Sequence, residues 1–428
     1  MIRIVTLFLG LIVGPQSVDF QVWEPVAVVE VVLDGEVVGR LDGPPWRLTV
    51  DFGDSLVPHR LVAVGRDRRG AEVGRAERRV NLGDGVTVPG RDESFVTDAG
   101  ITAVAVSLDA GTRLPPPSEI GSWFLVDGEP AAVLSVEKGP AEVIFVRDPR
   151  ARQSVDDVVS DWLSRGLELA EVPEAVFSSL TSGRGAFFDV AGEVLPITDP
   201  LARRRRLAGL WEQWSSLARL GDDTAFRFIS PYAAPVSHVA TRKEVFNTVT
   251  RPVSVGDGFL FQAVRVRPRI GYLRIGDAVA VAGVEAFTAR KRRAVVLLLT
   301  YPQVDDSRYR PDQVRDYLRA LRVPLFVWSV DPADQRRRDR SEADDPPVDW
   351  GAARVVVDRQ GATVEEYMAR LRDAFREVGQ SLAAQRVVWL RGAHLPQQVS
   401  LAPGVTGIRF AGVTTAGTSP DVAEGAPR

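Results

Sequence analysis

Cysteine is absent from this chain of 428 residues. Its absence excludes disulfide bonds, a lipid-modified N-terminal cysteine, thiol catalysis and cysteine-bound zinc. The protein must therefore be stabilised by packed hydrophobic cores, which a chain of this length can build. The length also predicts two or three domains instead of one.

Histidine is scarce, and the sequence patterns of common enzymes are missing. The three histidines, His59, His238 and His394, lie far apart and lack both helical zinc-pair spacing and an evident nucleophile partner. There is no Gly-x-Ser-x-Gly nucleophile motif, no Walker loop and no dinucleotide-binding glycine pattern. These absences disfavour an enzyme, although a hydrolase that acts on envelope polymers is retained as an alternative.

A strong charge of either sign is missing as well. The formal net charge is -3, and the content of 45% hydrophobic and 25% charged residues is typical of a soluble globular protein. A nearly neutral chain gives no reason to expect nucleic acid as the partner. We therefore predict no nucleic-acid binding, and no motif indicates a cofactor.

The N-terminal segment is predicted to be an export signal. A short basic start at Arg3 precedes an apolar run from Ile4 to Val13, which ends in small or helix-breaking residues up to Ser17. Such a segment is typical of a secretory signal peptide and is too short to span a bilayer. Residues 1–17 are therefore assigned to a signal peptide, and the location is predicted to be periplasmic or extracellular. The alternative is an edge strand of the first domain, and membrane contact is expected only if the segment stays uncleaved.

Residues 18–82 predict a small all-β sandwich. Asp34-Gly35 joins two β-branched runs, which is a strong hairpin signal because a type I′ turn needs positive φ at both central residues. A second pair of runs meets at Asp67–Gly70. The pattern of Leu33–Gly39 followed by Pro44-Pro-Trp46 resembles bacterial immunoglobulin-like modules, and this resemblance implies a spacer or a binding module.

After a predicted linker at residues 83–100, the pattern changes to strands that alternate with helices. Residues 101–140 predict a small β segment that packs on the next domain, and residues 141–391 predict an α/β domain with a doubly wound sheet. A C-terminal β extension is expected at residues 392–412 and a disordered tail at residues 413–428. The predicted fold class is thus multidomain, with an N-terminal all-β immunoglobulin-like sandwich and a doubly wound α/β domain.

Two predicted parallel strands carry the α/β assignment. Ala141–Asp148 and Ala294–Thr300 are short apolar runs bounded by turn residues, as in strands covered by helices on both faces. In open parallel sheets, ligands bind just beyond the carboxyl ends of the strands. The positions after these two strands hold arginine, proline and tyrosine, and they decide the functional prediction.

These strands belong to a longer pattern. Phe124–Pro130 reads Phe-x-Val-Asp-Gly-Glu-Pro and leads into Val143-Ile-Phe-Val-Arg-Asp148, and Arg292–Thr300 and Val323–Trp328 follow. In order and spacing, this pattern resembles the bacterial von Willebrand factor type A (vWA)-related proteins over roughly residues 100–390. The resemblance implies an exported protein with a short β segment before a Rossmann-like A domain.

The resemblance also implies a metal-ion-dependent adhesion site at the strand ends. Its Asp-x-Ser-x-Ser motif falls on Asp148, Arg150 and Arg152, its threonine falls near Gly258, and its later aspartate falls on Tyr301. Magnesium requires hard oxygen ligands, and two guanidinium groups repel it. We therefore predict a degenerate site that binds no metal.

Nearby aspartates leave one alternative for a weak metal site. Asp257 lies close to the second loop, and Asp305-Asp306-Ser307 follows the strand that ends before Tyr301. The simpler interpretation is that these aspartates are solvated loop residues.

The predicted function is that of an exported, non-enzymatic protein-interaction protein of an adhesion or scaffold type. A protein partner is expected at the top face of the vWA-like domain. An envelope-associated hydrolase and a purely structural periplasmic spacer are the alternatives. The candidate partner-binding surface comprises Asp148, Arg150, Arg152, Asp257, Tyr301 and Asp305.

Overall fold

The structure is a computed structural model of the chain. It describes residues 1–6, 11–82, 100–147, 224–234, 245–248, 253–254, 272–300, 305–330, 350–351, 354–357 and 364–412. The predicted linker and the predicted C-terminal tail lie outside the described residues, apart from residue 100.

Seven strands form an N-terminal β-sandwich, which confirms that this module is all-β. The strands are β1 (Ile2–Ile4), β2 (Pro15–Val22), β3 (Val28–Leu33), β4 (Glu36–Leu41), β5 (Arg47–Asp51), β6 (His59–Arg66) and β7 (Glu72–Val80). They lie in a three-stranded sheet of order β1-β2-β5 and a four-stranded sheet of order β4-β3-β6-β7. Buried side chains of both sheets, such as Val18, Val31 and Leu61, form one core between them.

The hairpin between β3 and β4 has the predicted turn. Asp34 and Gly35 have φ values of 51° and 96°, and Leu33 pairs with Glu36 across the turn. The tight turn places β4 beside β3, in the sheet that also contains β6 and β7. In a constant-type immunoglobulin domain the fourth strand joins the other sheet, so the sandwich departs from that arrangement.

The N-terminal segment is part of this sandwich. Strand β1 pairs antiparallel with β2, so that Ile2 lies opposite Val22 and Ile4 opposite Phe20. Both isoleucines are buried in the core, whereas Arg3 between them is exposed. The boundary predicted at residue 17 is therefore wrong, because the segment supplies a strand and core residues to the module. Export itself stays a prediction.

Fifteen further strands, four α-helices and two 3₁₀ turns follow in the described residues. In chain order they are β8 (Ile101–Leu108), α1 (Pro117–Ile120), a 3₁₀ turn (Gly121–Trp123), β9 (Phe124–Val126), β10 (Glu129–Pro130), β11 (Val133–Glu137), β12 (Ala141–Arg147), β13 (Thr224–Ala234), β14 (Val245–Thr248), β15 (Val253–Ser254), β16 (Tyr272–Leu273), α2 (Ile275–Thr288), β17 (Arg292–Thr300), α3 (Pro311–Ala320), β18 (Leu325–Val330), β19 (Arg354–Val357), α4 (Val364–Ala384), β20 (Gln385–Arg391), a second 3₁₀ turn (Pro396–Gln398), β21 (Val399–Leu401) and β22 (Ile408–Phe410).

Five parallel strands form the centre of the largest sheet. β13, β12, β17, β18 and β19 are neighbours in that order, and β14 adds antiparallel to β13 at one edge. Numbered along the chain from β12, these six strands have the order 3-2-1-4-5-6. The short strands β15 and β16 also pair with β13.

Helices pack against both faces of this sheet. Ile144 shares a core with α2 and α3, whereas the neighbouring Phe145 points to the opposite face, as successive strand residues do. There Phe145 contacts Phe375 of α4 with ring centroids 6.3 Å apart, and Trp328 lies 5.0 Å from the same ring. None of the described helices is long and apolar enough to cross a membrane.

The strands before and after the large sheet form one small β unit. One sheet has the order β11-β20-β8-β22 and another has the order β10-β9-β21, and they share a core that includes Val106, Phe124, Val388 and Val399. The predicted β segment and the predicted C-terminal extension are thus two halves of one unit. Strand β20, predicted to belong to the α/β domain, is a central strand of this unit, so the boundary predicted at residue 391 is wrong.

The sandwich packs against α2 and α3. Leu11 and Leu82 join the core of these helices. The Tyr309 hydroxyl donates to the carbonyl oxygen of Leu11 at 2.5 Å, and the Tyr317 hydroxyl donates to that of Asn81 at 2.6 Å. Burial raises the pKa of both tyrosines, which keeps both hydroxyls protonated and able to donate.

Candidate functional site at the carboxyl edge of the sheet

One of the six predicted surface residues falls within the described structure. Strands β12 and β17 end at Arg147 and Thr300, directly before the predicted surface. Asp305 follows in the loop before α3. The other five lie outside the described residues: Asp148, Arg150, Arg152, Asp257 and Tyr301.

Asp305 caps the first turn of α2. The chain runs from α2 into β17, and the helix packs on that strand, so its first turn lies at the carboxyl edge. One carboxylate oxygen of Asp305 accepts the N–H of Ile275 at 2.9 Å, and the other accepts the N–H of Gly276 at 3.1 Å. The first N–H groups of a helix lack partners within it, and negative charge stabilises that end. Asp305 therefore acts as a helix cap from a separate loop.

Further hydrogen bonds, in both directions, fasten the same loop to the helix. The backbone N–H of Asp277 donates to the Ser307 hydroxyl at 3.2 Å, and this hydroxyl itself donates to Asp305. The Asp277 carboxylate accepts the N–H groups of Arg308 at 3.0 Å and of Tyr309 at 3.2 Å. The loop and the first helical turn thus satisfy each other's backbone groups.

The buried carboxylate of Asp277 has a raised pKa. Loss of hydration is the main cause, and the two backbone N–H donors together with Arg274 and Arg308 act in the opposite direction. Nη1 of Arg274 lies 3.4 Å from Oδ2 of Asp277. Burial therefore outweighs the hydrogen bonds at this carboxylate.

Gly276 allows the loop to approach the helix closely. A Cβ atom at this position would lie 2.5 Å from the backbone oxygen of Tyr309, closer than such atoms approach in proteins. A larger residue would therefore push the loop away from the helix, together with the hydrogen bonds of Asp305 and Asp277.

Asp305 is a poor candidate for a metal ligand. Its Oδ1 accepts the N–H groups of Ile275 and Ser307, and its Oδ2 accepts that of Gly276, so a cation would compete with backbone donors at both oxygens. In the described part of the chain, no group of three or more histidine, aspartate or glutamate side chains could hold a metal ion. The interpretation of Asp305 as a solvated loop residue is also wrong, because the residue is half-buried and caps a helix.

Buried Arg293 lies at the opposite edge of the sheet, where the parallel strands begin; this edge is called the amino edge. Arg293 is 1% exposed and donates to the carbonyl oxygens of Phe287 at 3.2 Å, Leu321 at 3.2 Å and Arg322 at 3.4 Å. These carbonyls end α2 and α3, so the guanidinium lies at the negative ends of two helices. Burial lowers the pKa of Arg293 to about 9, which leaves the group charged at neutral pH.

Arg322 and Gln385 attach the small β unit to this edge. Arg322 donates to the carbonyl oxygens of Pro396 and Val399, and burial, aided by Arg293, lowers its pKa to about 9. The fully buried Gln385 side chain accepts the N–H of Arg293 at 2.8 Å and donates to the carbonyl of Arg293 at 3.0 Å. The amino edge is therefore a structural junction.

The described histidines also hold loops in place. Nδ1 of His59 lies 2.6 Å from Oδ2 of Asp34, the first residue of the β3–β4 turn. Nε2 of His394 lies 2.8 Å from the carbonyl oxygen of Arg391. His238 is outside the described residues.

Sequence reasoning missed Asp277 and the buried arginines. An aspartate in the first turn of a helix was a readable but weak signal, because acidic residues are common there for dipole reasons alone. Arg293 and Arg322 gave no signal, since their carbonyl partners come from segments distant in the chain.

Neither the family models nor the curated proteins contain a match to this chain. Among solved structures, it is similar to fibronectin(III)-like modules of Clostridium thermocellum CbhA, with 14% identity and a TM-score of 0.17 over 19% of this chain and 93% of that chain. It is also similar to proximal thread matrix protein 1 from the mussel byssus, with 16% identity and a TM-score of 0.26 over 61% of this chain. The chain covers 50% of that thread protein. At these TM-scores, neither likeness supports an assignment of function.

Proposed function

We propose that this chain is a non-enzymatic protein-interaction protein, of an adhesion or scaffold type, with a vWA-like α/β domain. Its partner binds at the carboxyl edge of the parallel sheet without a metal ion. Arg150 and Arg152 take the positions of metal ligands in the resemblance, and their charges suit an acidic partner surface. Export to the periplasm or the extracellular space stays part of the proposal.

The strand order supports the α/β assignment. The order 3-2-1-4-5-6 occurs in doubly wound sheets, whose ligands bind beyond the carboxyl ends where the order reverses. In this sheet the order reverses between β12 and β17. The segments that begin with Asp148 and Tyr301 follow these two strands directly, so both adjoin the expected binding position.

The capping role of Asp305 is the observation that carries the proposal. This carboxylate lies in the loop after β17, where a substitute metal ligand was considered, and it is committed to the backbone of α2. Recognition at this edge must then rely on side chains of the strand ends themselves.

The contacts between the units also favour the carboxyl edge. The sandwich covers α2 and α3, and the small β unit closes the amino edge through Arg322 and Gln385. A partner that approaches from the side opposite the small β unit meets the carboxyl edge.

Capture by the immobilised full chain tests this proposal. Envelope extracts are passed over the wild type, over Arg150→Glu/Arg152→Glu, and over Arg68→Glu/Arg69→Glu as the control. Arg68 and Arg69 are exposed neighbours in the turn between β6 and β7, far from the sheet in sequence. We expect the first variant to lose at least nine-tenths of the captured partner and the control to lose none, with or without a chelator. Equal capture by all three proteins contradicts the proposed surface, and no capture at all favours the structural spacer.

A further inference from the structure

We propose that the outer face of the sheet β1-β2-β5 binds an uncharged polysaccharide. The chain of sugars lies along β2, and one of its rings stacks on the indole of Trp23. This site belongs to the N-terminal sandwich, and it does not depend on the function proposed for the carboxyl edge of the large sheet.

Every second residue of these three strands faces outward. Ile4, Val18 and Val50 are buried in the sandwich core, and successive strand residues point to opposite faces of a sheet. The residues between them therefore form the outer face, and they are exposed apart from the half-buried Asp19. They include Arg3, Val5, Ser17, Asp19, Gln21, Arg47, Thr49 and Asp51.

Trp23 extends this face at the end of β2. Its N–H donates to the carbonyl oxygen of Met1 at 3.0 Å, and the amino group of Met1 donates to the carbonyl oxygen of Trp23 at 3.4 Å. This pair continues the register of β1 and β2, so Trp23 faces the same way as Gln21. Trp23 is 40% exposed, and no other tryptophan, tyrosine or phenylalanine is exposed among the side chains that the structure describes. The paired backbone thus presents a large aromatic ring to solvent.

A row of polar side chains leads away from this ring. Gln21, Asp19 and Ser17 follow Trp23 along β2 at every second position, and the row is about 20 Å long. Nε of Arg47 lies 2.5 Å from Oδ1 of Asp19, and both side chains remain accessible. The row therefore offers both donors and acceptors. Sugars need this combination, because each hydroxyl group both donates and accepts while the C–H groups of the ring pack on the negative face of an indole.

The charges of this face favour an uncharged ligand. Arg47 is paired with Asp19, and Arg3 and Asp51 carry one charge of each sign. Two arginines and two aspartates leave no net charge to attract a polyanion or a polycation. Recognition must then rely on stacking and on hydrogen bonds.

The width of the face favours a single narrow chain. At each level the face is two strands wide, because β5 pairs with the first part of β2 and β1 with the last part. Strand spacing and rise give a strip of about 10 Å by 25 Å, or roughly 250 Å². A standard protein interface buries about 800 Å² on each partner. A peptide that lay on these side chains would also gain none of the backbone pairing that a strand edge offers.

An array of uncharged oligosaccharides, built from hexoses and N-acetylhexosamines, tests the proposal with the labelled full chain. The oligosaccharide that binds most strongly is then titrated by calorimetry into the wild type, Trp23→Ala, Trp23→Phe and Gln21→Ala. Val37→Ala is the control, because Val37 is 57% exposed on β4 of the other sheet. Unfolding midpoints check that each variant is folded.

We expect Trp23→Ala to lower the affinity about tenfold and Gln21→Ala about threefold, as the loss of one stacked ring and of one hydrogen bond predicts. Trp23→Phe should keep most of the affinity because a ring remains, and Val37→Ala should not change it. Three results would each overturn the proposal: no oligosaccharide on the array binds, Trp23→Ala binds as tightly as the wild type, or Val37→Ala loses as much affinity as Trp23→Ala. Capture of a protein that depends on Trp23, without any bound oligosaccharide, would assign the face to protein recognition and likewise contradict the proposal.

Discussion

The hydroxyl of Tyr309 donates a 2.5 Å hydrogen bond to the carbonyl oxygen of Leu11, across 298 positions of the chain. Tyr309 follows the loop that caps α2, and its own N–H is bound by Asp277. The N-terminal sandwich is therefore attached to the residues that shape the carboxyl edge of the sheet.

Replacing Tyr309 with phenylalanine should weaken this attachment. The substitution removes one hydroxyl and leaves the buried Leu11 carbonyl without its donor, which costs about 1–3 kcal/mol. Denaturant unfolding measures the loss, and hydrogen exchange should show faster exchange in the segment around Leu11. Tyr317→Phe should have a similar effect around Asn81. An unchanged midpoint in both variants would contradict the docking of the sandwich on α2 and α3.

The Asp277→Asn variant should change the pH dependence of stability. Because burial raises the pKa of Asp277 in the folded state, the folded protein holds this proton more tightly than the unfolded chain. The stabilisation that comes from this tighter proton binding is complete below the pKa of Asp277 in the unfolded chain. It is lost as the pH rises through the pKa of Asp277 in the folded protein. Asparagine keeps an oxygen acceptor for the N–H groups of Arg308 and Tyr309 and does not ionise. The stability of the variant relative to the wild type should therefore increase as the pH rises.

Asp312→Asn is the matched control for this effect. Asp312 occupies the first turn of α3. Desolvation is the largest single influence and raises its pKa, but hydrogen bonds from the Gln313 backbone and from Arg310, with the charge of Arg310, together outweigh it and lower the pKa. Its contribution is present above the unfolded pKa and is lost as the pH falls through the folded pKa, so the control should show the opposite trend. Melting temperatures across the acid range compare the two variants. Parallel curves for Asp277→Asn and the wild type would contradict the buried carboxylate.

Arg293→Met should destabilise the protein at the amino edge. The variant leaves three carbonyl oxygens at the ends of α2 and α3 without their donor, at a cost of about 2–4 kcal/mol after relief of the buried charge. The stability of Arg293→Lys should lie between that of the wild type and that of Arg293→Met, since an ammonium group cannot reproduce the planar donor geometry of a guanidinium. Arg319→Met is the control, because its ion pair with Asp316 is exposed and worth about 0–1 kcal/mol. Equal unfolding midpoints for Arg293→Met and the control would show that the buried bonds contribute little.

The N-terminal strand can be tested with neighbouring substitutions. Ile4 is 5% exposed in the sandwich core, so Ile4→Ala should cost about 2–4 kcal/mol. Arg3→Ala on the exposed side of the same strand should cost less than about 0.5 kcal/mol. Unfolding of the full chain measures both variants. Mass spectrometry of the protein from cells tests export processing, and a mature chain that starts near residue 18 would contradict a role for β1 in the sandwich.

Local patterns in the sequence predicted local structure. The β3–β4 hairpin was predictable because Asp34 and Gly35 must supply positive φ between two apolar runs. Strand β17 was predictable because a fully buried parallel strand needs a continuous apolar run. The N-terminal segment was misassigned because an apolar run of ten residues fits both a signal peptide and the start of a sandwich.

Long-range relationships were not readable from the sequence. Gln385 begins strand β20, and it pairs with Ser107 of β8. The small β unit is therefore assembled from two segments of the chain, one before and one after the strands of the large sheet. Helical and strand periodicity describe only neighbours along the chain. For the same reason the capping of α2 by Asp305, across 30 positions, could not be distinguished from a solvated loop. The candidate surface at Arg150 and Arg152 remains a prediction of the sequence.

Calorimetric titration of the full chain with Mg²⁺ and with Mn²⁺ tests the central claim, that the carboxyl edge acts without a metal ion. The proteins compared are the wild type, Asp148→Ala and Asp305→Asn. We predict no saturable heat for any of them, because the vWA resemblance puts two arginines at ligand positions and Asp305 binds the backbone of α2. Saturable binding to the wild type that Asp148→Ala or Asp305→Asn abolishes would contradict the account.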